Sequence, residues 1–123
     1  EQIDALVTPG AAARPMLEAF QALAPFGPGN PEPTFAVAGV HAERPMLLRG
    51  GHVRVSLVDS YGGRLKAVAW RSEDTDLGRR LLAGAGGLHV AGKLKPDDWQ
   101  GRQSVELEIE DAADARRSER PAD

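Results

Sequence analysis

Two kinds of side chain in this sequence could bind a polynucleotide: cations for its phosphates and aromatic rings for its bases. The rings are Tyr61, inside "SYGG", and Trp99, inside "PDDWQG", both in stretches typical of loops. The cations fall on or beside neighbouring strand-like segments, and they are Arg49, Arg54, Arg64, Lys66, Lys93, Lys95 and Arg102. Together these residues predict a surface that binds single strands with little sequence preference.

Several of these residues also have a structural explanation. Trp99 could cover one end of a hydrophobic core instead of stacking on a base. Lys93 and Lys95 could pair with outward glutamates of the following segment, because oppositely charged residues often face each other across strands. Those glutamates are Glu106, Glu108 and Glu110. The sequence leaves these alternatives open.

Patterns for catalysis or metal binding are not evident. His41, His52 and His89 fall on different predicted strands, without a carboxylate or thiolate at ligand spacing. The stretch "GPGN" resembles a phosphate-binding loop, but Pro28 has no N–H to offer an anion. We therefore predict no catalytic residue and no metal or cofactor site within this chain.

Composition sets further bounds. The chain has no cysteine, which excludes disulfides and is typical of a cytoplasmic protein. It has no apolar run long enough to cross a bilayer, so no membrane association is expected. The net charge is −3, yet residues 34–104 carry eleven Lys or Arg against seven Asp or Glu, a charge of +4. A mildly basic segment between acidic flanks gives weak support for phosphate binding.

The apolar pattern divides the chain into four parts. Residues 1–24 are expected to end a preceding domain with a connecting helix, in which Met16, Phe20 and Leu23 form one apolar stripe. Residues 25–33, "PFGPGNPEP", form an elbow that proline stiffens. The period changes to two in residues 34–112, and the polar residues 113–123 are expected to be a disordered tail.

The central part reads as five strands with a short helix between the third and the fourth. This β-β-β-α-β-β order predicts a mainly β fold, the five-stranded OB barrel, whereas an SH3-like barrel lacks the helix. If residues 60–63 form a four-residue hairpin loop, Trp70 lies opposite Val53 in the core and Lys66 lies beside Leu57 at the rim.

Three stretches closely resemble the C-terminal part of RecJ-type single-strand-specific DNA exonucleases. They are "LAPFGPGNPEPTFAVAGV", "GGHVRVSLVDSYGGRLKAVAW" and "HVAGKLKPDDWQGRQSVELEIEDAA", and the similarity covers residues 3–113. The resemblance implies an OB domain that grips single-stranded DNA for a cytoplasmic 5′-to-3′ exonuclease of DNA recombination and repair. It also implies manganese or magnesium in catalytic domains whose Asp-His-His signature is not in this chain.

The resemblance suggests a role for the elbow and for partners. A stiff elbow could orient the barrel so that a bound strand leads into the nuclease cleft, or it could pack against the barrel and close it. The alternatives to DNA binding are docking of a protein, such as a single-strand-binding protein, and general single-stranded nucleic-acid binding without a nuclease parent.

Overall fold

The computed structural model describes residues 3–13, 16, 18, 32–97 and 104–114. Six strands and one helix have described bounds, and Met16 and Glu18 are also helical. The strands form because apolar side chains alternate along each long segment and only one face of each strand can be buried. The elements are β1 (Ala5–Leu6), β2 (Phe35–Leu48), β3 (His52–Val58), β4 (Arg64–Ala69), α1 (Asp76–Leu82), β5 (Leu88–Asp97) and β6 (Ser104–Asp114).

The five long strands close into a barrel. Hydrogen-bonded neighbours run in the order β2, β3, β4, β6 and β5, and β5 pairs again with β2. All of these pairs are antiparallel except β4 with β6, which is parallel. Short β1 lies outside this circle, parallel to β2. With α1 between the third and fourth barrel strands, this is the predicted OB fold, which the structure confirms.

Alternate residues of every barrel strand fill one core. In β3 the inward side chains are Val53, Val55 and Leu57, each 2% exposed or less. Leu81 of α1 is fully buried in the same cluster. Burying one such side chain contributes about 1.5–3 kcal/mol. The barrel is therefore a rigid scaffold whose outward side chains have fixed directions.

The hairpin between β3 and β4 is one residue shorter than predicted. Val58 lies opposite Arg64, and the backbone N–H of Asp59 donates to the carbonyl of Gly63, so only residues 60–62 form the loop. The Asp59 carboxylate accepts the N–H groups of Tyr61 and Gly63 at 3.0 and 2.9 Å. Gly62 supplies the left-handed residue, φ +85°, that a three-residue hairpin loop requires.

This shorter loop reverses the faces of β4, because side chains alternate along a strand. Val53 now pairs with Ala69, and Trp70 lies on the outer side with 49% of its surface exposed. The prediction that Trp70 belongs to the core is therefore wrong. Lys66 pairs with Ser56 on the outer face and not with Leu57, so its predicted place at the rim is wrong as well.

Other boundaries differ in smaller ways. β2 continues to Leu48 through a bulge between Glu43 and Met46. β6 ends at Asp114, inside the predicted tail. Most of the predicted N-terminal helix, residues 25–31 of the elbow, Trp99, Arg102 and residues 115–123 lie outside the described residues.

Candidate nucleic-acid interface

An aromatic and apolar patch lies on the outer face at one end of the β3–β4 hairpin. Trp70 follows β4 directly, and its ring meets that of His52 at a centroid distance of 4.9 Å and an angle of 81°. On the other side of β3, Met46 of β2 lies opposite Arg54 and is 55% exposed. These four residues form what we call the Trp70 patch. Exposed aromatic rings next to cations are the features by which OB barrels hold single strands.

Two loops meet at this patch because the backbone joins them. The carbonyl of Gly51 in the β2–β3 loop accepts the N–H groups of Ser72 and Glu73 at 2.9 and 3.0 Å. Gly51 has a φ of +82°, a conformation that side chains rarely adopt. The β2–β3 loop, which carries Arg49, is thereby held against the β4–α1 loop, which carries Arg71.

Three arginines around the patch have no carboxylate within ion-pair distance among the described residues. They are Arg44 in the β2 bulge, Arg49 in the β2–β3 loop and Arg71 after Trp70, and all three are exposed. An arginine without an acidic partner presents its full charge and its fork of donors to a phosphate. Three arginines without ion-pair partners in the described part of the chain therefore lie next to the patch, although the exposed acids Glu73 and Asp74 line the same pocket as Arg71.

Arg44 and Arg71 are also the two non-glycine residues with positive φ in the described ranges, each at +52°. A left-handed backbone costs an ordinary L-residue roughly 1–2 kcal/mol relative to the right-handed one. Neither side chain is buried, so packing does not offset the cost of this backbone conformation. Strained residues of this kind concentrate at functional sites, which supports a binding role for both arginines.

Most of the predicted cations, by contrast, are paired with acids. Arg54 lies 3.2 Å from Glu106, and Lys66 contacts Asp97. The remaining pairs are Arg64 with Glu43 at 3.0 Å, Lys93 with Glu110 at 3.5 Å, and Lys95 with Glu32 at 2.8 Å. Lys93 thus has the cross-strand partner on β6 that the sequence left open as an alternative. Lys95 does not, because its partner Glu32 precedes β2 and is none of the three predicted glutamates.

Tyr61 and Arg64 lie at the far end of the hairpin from Trp70. β3 has seven residues and so spans about 20 Å between these ends. Tyr61 is 92% exposed at the loop tip. The pKa of Glu43, the partner of Arg64, is lowered chiefly by a hydrogen bond with His41 and further by Arg64 itself. The structure thus separates Tyr61 and Arg64 from Arg49 and Arg54, which lie by the Trp70 patch.

Trp70, Arg71, His52, Met46 and Arg44 are the candidate residues that sequence reasoning missed. Trp70 and its neighbours were missed because the hairpin register was wrong by one residue. The stretch "DSYGG" contained the signal for the shorter loop. An Asp at the start of a turn can accept the backbone N–H two residues later, and a glycine near the end of the turn can adopt the left-handed conformation. The bulge at Arg44 has no comparable signal.

Glu106 is the most buried acid in the outer charge network. Its side chain is 13% exposed, and its buried Oε2 atom lies 3.2 Å from Arg54 Nε without accepting a hydrogen bond of good geometry from the described residues. Burial raises the pKa of Glu106, the nearby charge of Asp97 acts in the same direction, and Arg54 and Lys66 oppose it. The ionised carboxylate is therefore less stable in the folded protein than in the unfolded chain.

We expect Glu106→Gln to stabilise the fold modestly at neutral pH. Because the folded pKa is raised, the penalty for ionising Glu106 is fully present above that pKa and disappears below the ordinary pKa of a glutamate. Urea unfolding at a series of pH values should show a gain at pH 7 that vanishes in acid. Glu110→Gln is the control, because it removes a charge from an exposed position of β6. A gain in stability for Glu106→Gln that does not depend on pH would contradict the explanation by the raised pKa.

The described residues offer no metal site and no membrane span. None of their histidine, aspartate and glutamate side chains form a group of three suited to a metal ion. No helix in the described ranges is long and apolar enough to cross a bilayer.

Comparison with known proteins gives a consistent match. The family model described as RecJ OB domain matches residues 3–111. The single-stranded-DNA-specific exonuclease RecJ of Thermus thermophilus is 32% identical over 97 residues, which cover 79% of this chain and 12% of that protein. Two crystal structures of Thermus thermophilus RecJ are similar in fold. The Mn²⁺ complex has a TM-score of 0.64 and 26% identity, covering 90% of this chain and 15% of that one. The Mg²⁺ complex has a TM-score of 0.62 and 30% identity, covering 89% and 16%.

Proposed function

Because this chain belongs to the RecJ OB-domain family, we propose that it binds single-stranded DNA on behalf of a larger single-strand-specific exonuclease. The chain spans only 12% of the length of the Thermus relative, so the catalytic activity is assigned to the rest of the parent protein. The proposal gives the OB domain the task of holding the strand.

The observation that carries this proposal is the grouping of Trp70 with unpaired arginines. A base stacked on an exposed aromatic ring contributes about 1–3 kcal/mol, and any base can stack, which suits binding without sequence preference. Arg49 and Arg71 lie on the two joined loops beside the ring, where they can contact phosphates on either side of a stacked base. A single strand exposes both its bases and its phosphates to such a surface.

The charge pattern also indicates where the strand does not run. Glu106, Glu108 and Glu110 line the outward side of β6, and lysines of β5 balance them only in part. A polyphosphate is repelled by such a row of carboxylates. We therefore place the strand across β3, the end of β4 and the two joined loops, and away from β5 and β6.

The parent enzyme is proposed to act from the 5′ end of single strands in DNA recombination and repair in the cytoplasm. The Thermus relatives were crystallised with Mn²⁺ and with Mg²⁺, which supports a divalent ion in the parent's catalytic domains. The described residues of this chain do not fit such an ion, and no chemical step is assigned to them. A single-strand-binding protein remains a proposed partner.

A salt titration tests the proposal. We expect the 123-residue chain to bind a fluorescent oligothymidylate, with an affinity that falls by about sixteenfold between about 50 and about 200 mM salt. Three phosphate contacts on a single strand give a log–log slope of about −2. Affinity that does not change with salt, or absence of binding at millimolar protein, would contradict DNA binding and favour the protein-docking alternative.

A further inference from the structure

His52 contacts three parts of the candidate interface at once. Its ring is in edge contact with Trp70 at 4.9 Å. Its Nδ1 atom accepts the backbone N–H of Arg71 at 2.9 Å. Its Nε2 atom lies 2.9 Å from the position that a Cβ at Gly50 would take, so the ring covers the β2–β3 loop.

The hydrogen bond to Arg71 has a specific consequence. Arg71 has a left-handed backbone, φ +52°, which an L-residue adopts only when surrounding contacts hold it there. The Nδ1 acceptor of His52 is one such contact, and the bonds from Ser72 and Glu73 to the Gly51 carbonyl are the others. His52 thereby helps to fix the direction in which the Arg71 side chain leaves the surface.

The contact with Trp70 has a second consequence. An indole that is half exposed at the end of a strand has several rotamers available, and a T-shaped aromatic contact favours one of them by roughly two- to twelvefold. A stacking platform binds more tightly when its orientation is set before the base arrives, since less rotamer freedom is lost on binding.

We propose that His52 is a positioning residue for single-strand binding, which orients the Trp70 ring through its own ring and the Arg71 side chain through its Nδ1 atom. This inference rests on the proposed function. It assigns to His52 a role that differs from metal binding and from core packing.

The two contacts can be removed one at a time. His52→Phe keeps an aromatic ring beside Trp70 but has no acceptor for the Arg71 N–H. His52→Asn places an acceptor oxygen at about the distance of Nδ1 but has no ring. His52→Ala removes both. Affinity and the Arg71 shift are measured in the otherwise unmodified 123-residue chain. Trp70 fluorescence is measured with Trp99→Phe added, which leaves Trp70 as the remaining tryptophan because the sequence has two.

Three readouts follow each variant: affinity for oligothymidylate, quenching of Trp70 fluorescence by the oligonucleotide, and the amide chemical shift of Arg71. We expect His52→Ala to lower affinity by about fivefold and to reduce quenching, since the aromatic contact is worth about that factor. Compared with His52→Ala, His52→Phe should restore the quenching of Trp70 fluorescence but not the amide shift of Arg71. His52→Asn should restore the Arg71 shift but not the quenching.

Two results of the binding measurements on the His52 variants would overturn the inference. One is a His52→Ala variant with the affinity and quenching of the parent, in a protein that does bind DNA. The other is a loss that neither His52→Phe nor His52→Asn repairs and that matches a fall in melting temperature, which indicates a general structural role. If the parent chain itself does not bind oligothymidylate, both the proposed function and the positioning role of His52 are contradicted. If His52→Ala leaves the Trp70 emission and the Arg71 amide shift unaltered in the absence of DNA, only the positioning role is contradicted.

Discussion

Trp70→Ala is expected to weaken binding of a short oligothymidylate by roughly tenfold or more, because one stacked base contributes about 1–3 kcal/mol. The fold should tolerate the change, since Trp70 lies outside the buried core cluster and half of its surface is exposed. Fluorescence anisotropy with a labelled oligonucleotide measures the affinity, and urea unfolding measures the stability of the variant.

The matched control is Tyr61→Ala. Tyr61 is an exposed aromatic residue on the same hairpin, but it lies at the opposite end, about 20 Å from the patch. We expect its loss to reduce affinity for a short oligonucleotide far less than the loss of Trp70. Trp70→Phe, which keeps a ring, should retain most of the binding. Equal losses for Trp70→Ala and Tyr61→Ala, or none for Trp70→Ala, would mean that the strand does not stack where we place it.

Arg71→Gly is expected to change stability and binding in opposite directions. Glycine removes left-handed backbone strain, which stabilises the folded protein by roughly 1–2 kcal/mol. Its greater conformational freedom in the unfolded chain lowers stability by about 0.4–1 kcal/mol. The free energy of unfolding should therefore stay level or rise by up to about 1.6 kcal/mol. The affinity for a single strand should fall by about fivefold at low salt, with a salt slope smaller by about 0.7, because one phosphate contact is lost.

This opposition separates a binding residue from a structural one. A residue that holds the fold together loses stability and binding at the same time, whereas strain retained for function shows the reverse relation. Arg64→Ala is the control for long-range charge, since it removes the same charge from the far end of β4, where Glu43 already pairs with it. A destabilised Arg71→Gly variant, or one with unchanged affinity and salt slope, would contradict the role of Arg71.

The fold could be predicted from the sequence because alternation is a strong signal when one face of each strand is buried. Val53, Val55 and Leu57 define the core face of β3 without any knowledge of the neighbouring strands. The position of the helix between strands then distinguishes the OB barrel from other small barrels. Thr75 caps α1 by accepting the N–H of Gly78 at its side-chain oxygen, a role for which threonine is a typical residue.

The candidate site was harder to predict because it depends on register. A difference of one residue in the loop after Asp59 moves Trp70 from the core to the surface. Because both faces of β4 carry apolar residues, the alternation of apolar side chains does not favour one register over the other. Val68 shows the difficulty: it lies on the outer side opposite Arg54, yet it is fully buried. The turn chemistry of the Asp59 carboxylate decides between the two registers.

The ion pairs of the predicted cations also could not be predicted from the sequence. Partners of the predicted cations come from distant positions, such as Glu32 for Lys95 and Glu106 for Arg54. Only the closed barrel brings these residues together. A list of lysines and arginines therefore overstates the available positive charge, and the arginines that the barrel leaves unpaired define the binding surface more closely.

The most direct test of single-strand binding at the Trp70 patch is an amide chemical-shift titration of the ¹⁵N-labelled chain with oligothymidylate. We expect the shifts to concentrate in residues 49–54 and 70–73, with little change in β5 and β6. Shifts that centre on β5 and β6, or that spread evenly over the barrel, would contradict the proposed path of the strand.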